Sequence, residues 1–363
     1  MPALFVGLMS GTSLDGVDAV LADCVSGAPR IIATDHIPFD PDLRAILLAL
    51  HVPAKDELHR AALAAIALSR VYADGIARTL VRAGVGPQLI RAIGCHGQTI
   101  RHRPEAGYTV QVVSGAWLAE LTGITTVCDF RTRDIAAGGQ GAPLVPAFHA
   151  CVFGSSDEHR AIVNVGGIAN VTNLPASGAV TGFDCGPGNA LMDGWIAAQR
   201  DEAYDRHGAW AATGRMLPAL LQSLLSHPFF SATPPKSAGR EQFNLEWVRG
   251  HLVGSERPQD VQATLLELTA RGIAEAVSRQ CAGAKSVWLC GGGARNTALL
   301  SRLATLLAPR RVGTTEALGV APEHVEALAF AWLAQRTLAG ESGNLPDVTG
   351  ARGPRVLGAI YPA

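Results

Sequence analysis

The alternation of apolar and polar stretches along the chain predicts an α/β protein. Short apolar runs of strand length are separated by longer segments in which apolar residues recur at helical spacing. Residues 5–9, 17–22 and 30–36 are predicted as three successive strands. Such a meander at the start of an α/β unit differs from a Rossmann unit, in which a helix follows the first strand.

A second meander of the same plan opens the second half of the chain. Strands are predicted at 160–165, 170–174 and 178–183, with small residues at the first bend. We interpret the two meanders as similar in the order of their strands and turns but not in amino-acid sequence. The remaining predicted strands are 89–94, 108–113, 124–127 and 285–290, and the predicted helices are 41–50, 56–83, 115–121, 144–153, 187–198, 297–307 and 322–338.

The composition near residues 154–159 becomes polar, and the length of 363 residues favours two domains. We therefore expect an N-terminal lobe over 1–155 and a C-terminal lobe over 156–363. The last long helix could pack back toward the first lobe. Residues 231–243 are predicted as an exposed excursion, and the tail after 340 as irregular.

Charge and cysteine content exclude several classes of protein. The net charge is −1 and no long basic run occurs, so nucleic acid is not an expected partner. The seven cysteines form no C-x-x-C pair, which argues against a disulfide framework or a structural zinc site and favours a reducing, cytoplasmic location. No apolar run reaches the length needed to cross a bilayer, so no membrane is expected either.

Three glycine-bearing loops follow short apolar strands: residues 10–16, Gly166-Gly167 and Gly291-Gly292-Gly293. None is a P-loop. Backbone amides at such loops can hold phosphates, so together they predict a nucleotide between two lobes, with Mg²⁺ offsetting much of the phosphate charge. The alternative is three tight turns in a glycine-rich fold.

Asp184 is the candidate general base. It follows a predicted strand and precedes a glycine-bearing turn and a helix, which is a suitable position for proton transfer. The alternative is that Asp184 caps the helix.

His96 and Gln98 are candidate substrate contacts, because they lie on a glycine-containing loop at another strand end. The alternative for His96 is a structural hydrogen bond. Arg131 and Arg133 could hold an anionic substrate group. Alternatively they form salt bridges with Asp129 and Asp134.

Long motifs throughout the chain resemble those of the anhydro-N-acetylmuramic acid kinases. The first reads G-L-M-S-G-T-S-L-D-G-V-D. The matching stretches are 7–18, 95–99, 129–131 with 138–144, 164–170, 183–189, 239–243 and 290–296. Two departures occur: Cys185 and Ala238 each stand where the family pattern has Thr, which affects local hydrogen bonds.

The resemblance implies the two-lobed α/β fold of sugar kinases, Hsp70 and actin (ribonuclease H-like), with the ATP site in the interlobe cleft. It implies a homodimer that uses ATP and Mg²⁺ to convert 1,6-anhydro-N-acetylmuramic acid to N-acetylmuramic acid 6-phosphate in cell-wall recycling. The residue matching Asp184 would activate the water that opens the anhydro ring.

The resemblance also assigns binding roles, and it leaves the Mg²⁺ ligands open. The sugar would contact His96, Gln98, Arg131 and Glu326. The nucleotide would contact Gly11, Thr12, Ser13, Leu14, Asp15, Gly16, Val17, Asp18, Gly166, Gly167, Asn170, Gly291, Gly292, Gly293 and Arg295. Two competing hypotheses are a non-catalytic nucleotide switch of the Hsp70 or actin kind and a kinase for an ordinary hexose.

Overall fold

The computed structural model describes residues 3–11, 13–25, 27–234, 236–239 and 242–363. Thr12, which the sequence assigns to the nucleotide, lies outside these residues. The chain divides into two compact units: unit 1 comprises Met1–Val152 and His324–Ala363, and unit 2 comprises Phe153–Glu323. Residues 324–363, which the sequence-based division counts with the second lobe, pack in unit 1.

Unit 1 is built on a six-stranded mixed sheet of order β13-β7-β4-β1-β2-β3. Strands β1, β2 and β3 form the antiparallel meander, and β4 and β7 run parallel to β1. The strands are β1 (Leu4–Met9), β2 (Gly16–Asp23), β3 (Arg30–Pro38), β4 (Ile90–Cys95), β7 (Thr126–Cys128) and β13 (Ala359–Tyr361), and a separate hairpin pairs β5 (Gln98–Arg103) with β6 (Tyr108–Val112).

The helices of unit 1 include one that approaches the sheet very closely. Helix α12 lies so near β1 and β4 that a Cβ on Gly7 or Gly94 would overlap the backbone of Ala327 or Phe330, so both positions require glycine. The helices are α1 (Pro41–Ala49), α2 (Glu57–Ala83), α3 (Gly115–Thr122), α4 (Thr132–Ala136), α5 (Val145–Phe153), α12 (Val325–Leu338) and α13 (Pro346–Thr349).

Unit 2 is built on a five-stranded sheet of order β10-β9-β8-β11-β12. Strands β8, β9 and β10 form the second meander, and β11 and β12 run parallel to β8. The order of strands is therefore third, second, first, fourth and fifth, as it is for β3-β2-β1-β4-β7 in unit 1. The strands are β8 (Arg160–Val165), β9 (Ile168–Leu174), β10 (Thr181–Pro187), β11 (Ser286–Cys290) and β12 (Arg311–Thr314).

Two apolar cores stabilise unit 2. One lies between the sheet and helices α10 and α11, and the other contains Trp195, Phe230 and Phe243. Burial of such side chains contributes about 1.5–3 kcal/mol each. The helices are α6 (Ala190–Arg200), α7 (Pro218–Leu225), α8 (Pro228–Ser231), α9 (Leu245–Arg249), α10 (Pro258–Gln280) and α11 (Thr297–Leu307).

Most predicted elements are present, and the exceptions have local causes. Gln98 lies in β5 instead of a loop, because it pairs with Val112 across the hairpin. Trp117, in the predicted helix 115–121, is 40% exposed despite its apolar ring, and the Arg70 guanidinium lies 5.7 Å from its ring centre. Phe243 is buried, which contradicts the predicted exposure of the whole 231–243 stretch. The tail carries α13 and β13, and β12 was missed.

No helix among the described residues combines the length and apolarity that spanning a bilayer would require.

Candidate functional site

The loop between β1 and β2 is held to unit 1 at both ends. The Ser10 hydroxyl lies 2.7 Å from the Tyr72 hydroxyl. Leu14 adopts a left-handed conformation (φ 56°) that inserts its side chain into the core, where it is 1% exposed. On either side of Leu14, the Ser13 hydroxyl donates to the Asp15 carboxylate at 2.9 Å. Ser13 and Asp15 are exposed and Gly11 half-buried, so the loop presents hydroxyl, carboxylate and backbone groups on a fixed base.

The strand that follows this loop contributes mainly backbone. Gly16 and Val17 are buried in β2. The Asp18 carboxylate lies 2.8 Å from Nδ1 of His36 on β3. This hydrogen bond is the main cause that raises the pKa of His36 above its usual value, and burial opposes it. Asp18 therefore has a cross-strand partner within the sheet.

His96, which is buried, and Arg131, which is half-buried, form a hydrogen-bonded pair in unit 1. The Arg131 guanidinium donates to His96 Nε2 from Nε at 3.0 Å and to the Gly141 carbonyl from Nη1 at 2.8 Å. The His96 ring lies 4.9 Å from that of Phe330. Burial, and secondarily the charge of Arg131, lowers the pKa of His96 well below its usual value. His96 is therefore a neutral imidazole whose Nε2 accepts from the guanidinium.

Gln98 is fully buried, and neither its amide oxygen nor its amide nitrogen has a hydrogen-bond partner among the described residues. An unpaired buried amide costs about 1–3 kcal/mol, and such groups are uncommon in folded proteins. This side chain is therefore suited to bind a polar ligand.

Asp134 and Arg133 do not pair with one another as the salt-bridge alternative proposed. The buried Asp134 carboxylate accepts hydrogen bonds from Gly141 N, Asn344 Nδ2 and Thr349 Oγ1 at 2.7–2.8 Å. Arg133 is exposed. Glu326 is half-buried in the first turn of α12, also in unit 1.

In unit 2, the bend between β8 and β9 is fixed by the start of α6. The Gly166 carbonyl accepts from Asn189 N at 2.8 Å, and the Gly167 carbonyl accepts from Gly188 N at 2.9 Å. The bend is therefore a defined turn, and α6 begins directly against it.

Three polar residues occupy one row across the second meander. Asn164 on β8 is opposite Asn170 on β9, and Asn170 is opposite Asp184 on β10. Directly opposed residues in antiparallel strands project from the same face of a sheet. The side-chain oxygens of Asn164 and Asn170 are buried and have no hydrogen-bond partner among the described residues. This row is named here the acceptor row.

The Asp184 backbone and carboxylate are both tied to a neighbouring segment. Asp184 N donates to the Lys236 carbonyl at 3.2 Å, and Ala238 N donates to Asp184 Oδ2 at 2.9 Å. The residue that caps α6 is Asn189. The helix-cap alternative for Asp184 is therefore wrong. Ala238, one of the two departures from the family pattern, contributes a backbone hydrogen bond that any side chain would allow.

The third glycine loop lies beside the acceptor row. Gly291 follows β11 with φ 78°, and a Cβ there would overlap Asn164 Oδ1. Gly292 is exposed and Gly293 buried. Arg295 binds both oxygens of Glu323, at 2.6 and 2.8 Å, and this pairing raises the pKa of Arg295. Since Arg295 is exposed, the ion pair contributes little to stability.

Comparison with known proteins identifies the family. The family model for anhydro-N-acetylmuramic acid kinase matches residues 3–363. The chain belongs to the anhydro-N-acetylmuramic acid kinase family. It is therefore a phosphotransferase, as the resemblance implied, and neither competing hypothesis is favoured.

Close relatives cover the whole length of this kinase. It is 56% identical over 363 residues to an anhydro-N-acetylmuramic acid kinase of Nitrosospira multiformis (99% of each chain). It is 58% identical to one of Thiobacillus denitrificans (99% of this chain and 97% of the relative). Among solved structures, component A of the Acidaminococcus fermentans (R)-2-hydroxyglutaryl-CoA dehydratase is 13% identical with a TM-score of 0.49 (93% of this chain and 99% of that chain), a likeness too weak to inform function.

The structure divides the predicted site residues of this kinase between the units. Unit 1 holds the 10–18 loop, His96, Gln98, Arg131 and Glu326, and unit 2 holds the Gly166-Gly167 bend, Asn170, Asp184, the 291–293 loop and Arg295.

Sequence reasoning missed two residues of the kinase. It did not select Asn164, although the register of a tight β8–β9 hairpin would have paired it with Asn170. It noted Asp134 only as a salt-bridge partner. No local signal could have identified the Asp134 contacts, because its partners Asn344 and Thr349 are 210 and 215 residues away.

Proposed function

We propose that this kinase uses ATP and Mg²⁺ to convert 1,6-anhydro-N-acetylmuramic acid and water into N-acetylmuramic acid 6-phosphate and ADP. The observation that supports this most directly is the acceptor row. It consists of the Asp184 carboxylate beside the amide oxygens of Asn164 and Asn170, which have no hydrogen-bond partner among the described residues. Amide oxygens of this kind can orient a water molecule, and the carboxylate can take its proton.

In the proposed reaction, a water oxygen attacks the anomeric carbon while its proton passes to Asp184. The bond between the anomeric carbon and the 6-oxygen breaks. The 6-oxygen then forms a bond to the γ-phosphorus of ATP, and the bond to the ADP oxygen breaks. Ala238 N donates to Asp184 Oδ2 at 2.9 Å and so helps to fix the orientation of the carboxylate that we assign to the water.

The sugar contacts in this proposal are His96, Gln98, Arg131 and Glu326. Arg131 supplies a fixed cation for the sugar carboxylate. Gln98 offers an amide whose donor and acceptor both lack partners in the part of the chain that the structure describes. The neutral state of His96 avoids charge repulsion with Arg131 in a buried environment.

We assign the nucleotide to the 10–18 loop, the Gly166-Gly167 bend with Asn170, and the 291–293 loop with Arg295. The chain fits Mg²⁺ held chiefly by phosphates and water. The described residues contain no cluster of three or more His, Cys, Asp or Glu suited to a metal ion, whereas the exposed Asp15 carboxylate in the 10–18 loop is the kind of oxygen ligand that Mg²⁺ prefers. The ion would offset phosphate charge there.

The test of this proposal follows the water oxygen. The protein is incubated with ATP, Mg²⁺ and the anhydro sugar in water labelled with ¹⁸O, and the product is analysed by mass spectrometry and NMR. We expect the label at the anomeric hydroxyl and phosphate at the 6-position. Formation of no product, or of product without label, would rule the reaction out.

Cellular context and assembly are further parts of the proposal, and they rest on the family resemblance. We assign the reaction to recycling of cell-wall sugars in the cytoplasm by a homodimer. Light scattering of the purified protein would give twice the monomer mass of 37.8 kDa, and a monomer mass would contradict the dimer.

A further inference from the structure

A segment far along the chain holds the loop that supports Arg131. This segment, residues 344–352, is named here the C-terminal clasp. Its Asn344 amide and Thr349 hydroxyl both donate to Asp134 Oδ1 at 2.7 Å. All three side chains are buried, with at most 4% exposure. One carboxylate oxygen is therefore occupied entirely by the clasp.

Backbone hydrogen bonds join the clasp to the same region. Gln140 N donates to the Thr349 carbonyl at 2.7 Å, and Arg352 N donates to the Ala137 carbonyl at 2.9 Å. The clasp thus contacts residues 137–140 directly as well as through Asp134.

Hydrogen bonds through Gly141 connect Asp134 to Arg131. The second oxygen of Asp134 accepts from Gly141 N at 2.8 Å. The Gly141 carbonyl in turn accepts from Arg131 Nη1 at 2.8 Å, and Arg131 donates to His96 at 3.0 Å. The orientation of the peptide at Gly141 is therefore one of the restraints on the Arg131 guanidinium, together with its contacts to His96.

We propose that Thr349 and Asn344 are positioning residues for substrate binding, because through Asp134 and Gly141 they fix the Arg131 guanidinium that contacts the sugar. This rests on the proposed sugar contacts of Arg131 and His96. A guanidinium is a planar fork, so a small rotation misaligns its hydrogen bonds to a carboxylate. Loss of one clasp hydrogen bond should weaken sugar binding more than it slows the chemical step.

The experiment compares two threonines that each donate buried hydrogen bonds within unit 1. Thr349→Val removes the bond to Asp134. Thr337→Val is the matched control, since the Thr337 hydroxyl donates to the Leu333 and Leu357 carbonyls at 2.8 and 2.7 Å and not to Asp134. Thr349→Ser retains the hydroxyl. For each full-length variant, KM for the anhydro sugar, KM for ATP, kcat and Tm are measured.

We expect Thr349→Val to raise KM for the sugar by about tenfold, with kcat and KM for ATP changed less than twofold. Thr337→Val should lower Tm by about as much as Thr349→Val does, without changing KM for the sugar. Thr349→Ser, which keeps the hydroxyl, should have a sugar KM close to that of the unchanged protein. In an Arg131→Lys background, Thr349→Val should add no further increase, because both changes act through one group.

Equal sugar KM values for Thr349→Val and Thr337→Val would overturn the proposal, as would additive effects in the double variant. If Arg131→Lys alone leaves sugar KM unchanged, the assigned sugar contact of Arg131 fails, and the positioning role fails with it. The labelled-water experiment would be unaffected by either result, so failure of the reaction itself is recognised separately.

Discussion

The two units place different chemistry on the same frame of strands. In each unit a meander of three strands is extended by two parallel strands in the same order. In unit 1, the row nearest the first bend is Met9, Asp18 and His36; in unit 2, the acceptor row is Asn164, Asn170 and Asp184. The Asp18 carboxylate is paired with His36, whereas the amide oxygens of the acceptor row have no partner among the residues that the structure describes.

This difference matches the roles proposed for the two units. Pairing with His36 engages the Asp18 carboxylate and leaves backbone and hydroxyl groups at the first bend for the proposed phosphate contacts. The unpaired amide oxygens of Asn164 and Asn170 beside Asp184 are suited to accept hydrogen bonds from a water molecule. The side chains assigned to the sugar in unit 1 come from segments other than the meander: the β4–β5 connection, β5, the residue before α4 and the start of α12.

The largest expected effect comes from removing the base in unit 2. Asp184→Asn should reduce kcat by about 10²–10⁴-fold, the usual contribution of general base catalysis, because the amide cannot take the water proton. ATP affinity, measured by calorimetry, should stay within a few-fold. Asp18→Asn should cost much less kcat. Comparable losses of kcat in the two variants would contradict the proposed difference in role between Asp184 and Asp18. Retained activity in Asp184→Asn would show that another residue is the base.

Acidification tests the buried histidines of unit 1. Burial lowers the pKa of His149 to about 3 and that of His96 well below its usual value. In the unfolded chain both titrate near 6.5. Since the unfolded state binds more protons below that pH, stability is full above it and falls as pH decreases, by about 1.4 kcal/mol per pH unit for each group. His36, with its raised pKa, opposes this trend weakly because it is half-exposed.

We therefore expect urea unfolding of unit 1 to shift to lower concentration between pH 6.5 and 5. In a variant whose four unit 2 tryptophans are replaced by Phe, the fluorescence of Trp117 and Trp332 reports on unit 1. His149→Gln in this variant should reduce the dependence of the urea midpoint on pH. A midpoint that does not change over this range would contradict the neutral buried state of these histidines.

The smallest expected effect concerns the glycine loop beside the acceptor row. Gly291→Ala should destabilise the protein by about 1–3 kcal/mol and weaken ATP binding, since the new Cβ overlaps Asn164 Oδ1. Gly254→Ala is the control. Gly254, also in unit 2, has φ 90°, but no atom lies within 4 Å of a Cβ placed there. This variant therefore introduces backbone strain without a steric overlap. Equal ATP affinities in the two variants would contradict the assignment of residues 291–293 to the nucleotide site.

The amino-acid sequence by itself determined the α/β class, both meanders, most helix bounds and the loops at strand ends. These features depend on local periodicity, on turn residues and on motifs of contiguous residues. The Asn164–Asn170 pair belongs to this group as well, since a tight hairpin fixes its own register.

Only the tertiary structure decided which distant groups meet. The contacts from Thr349 and Asn344 through Asp134 to Arg131 and His96 join segments up to 215 residues apart, and nothing in the local pattern of either segment specifies the other. The same holds for the packing of α12 in unit 1 and for the exposure of Trp117. Hydrophobic periodicity predicts which face of a helix or strand is buried. The element that packs against that face is determined by the topology of the whole chain.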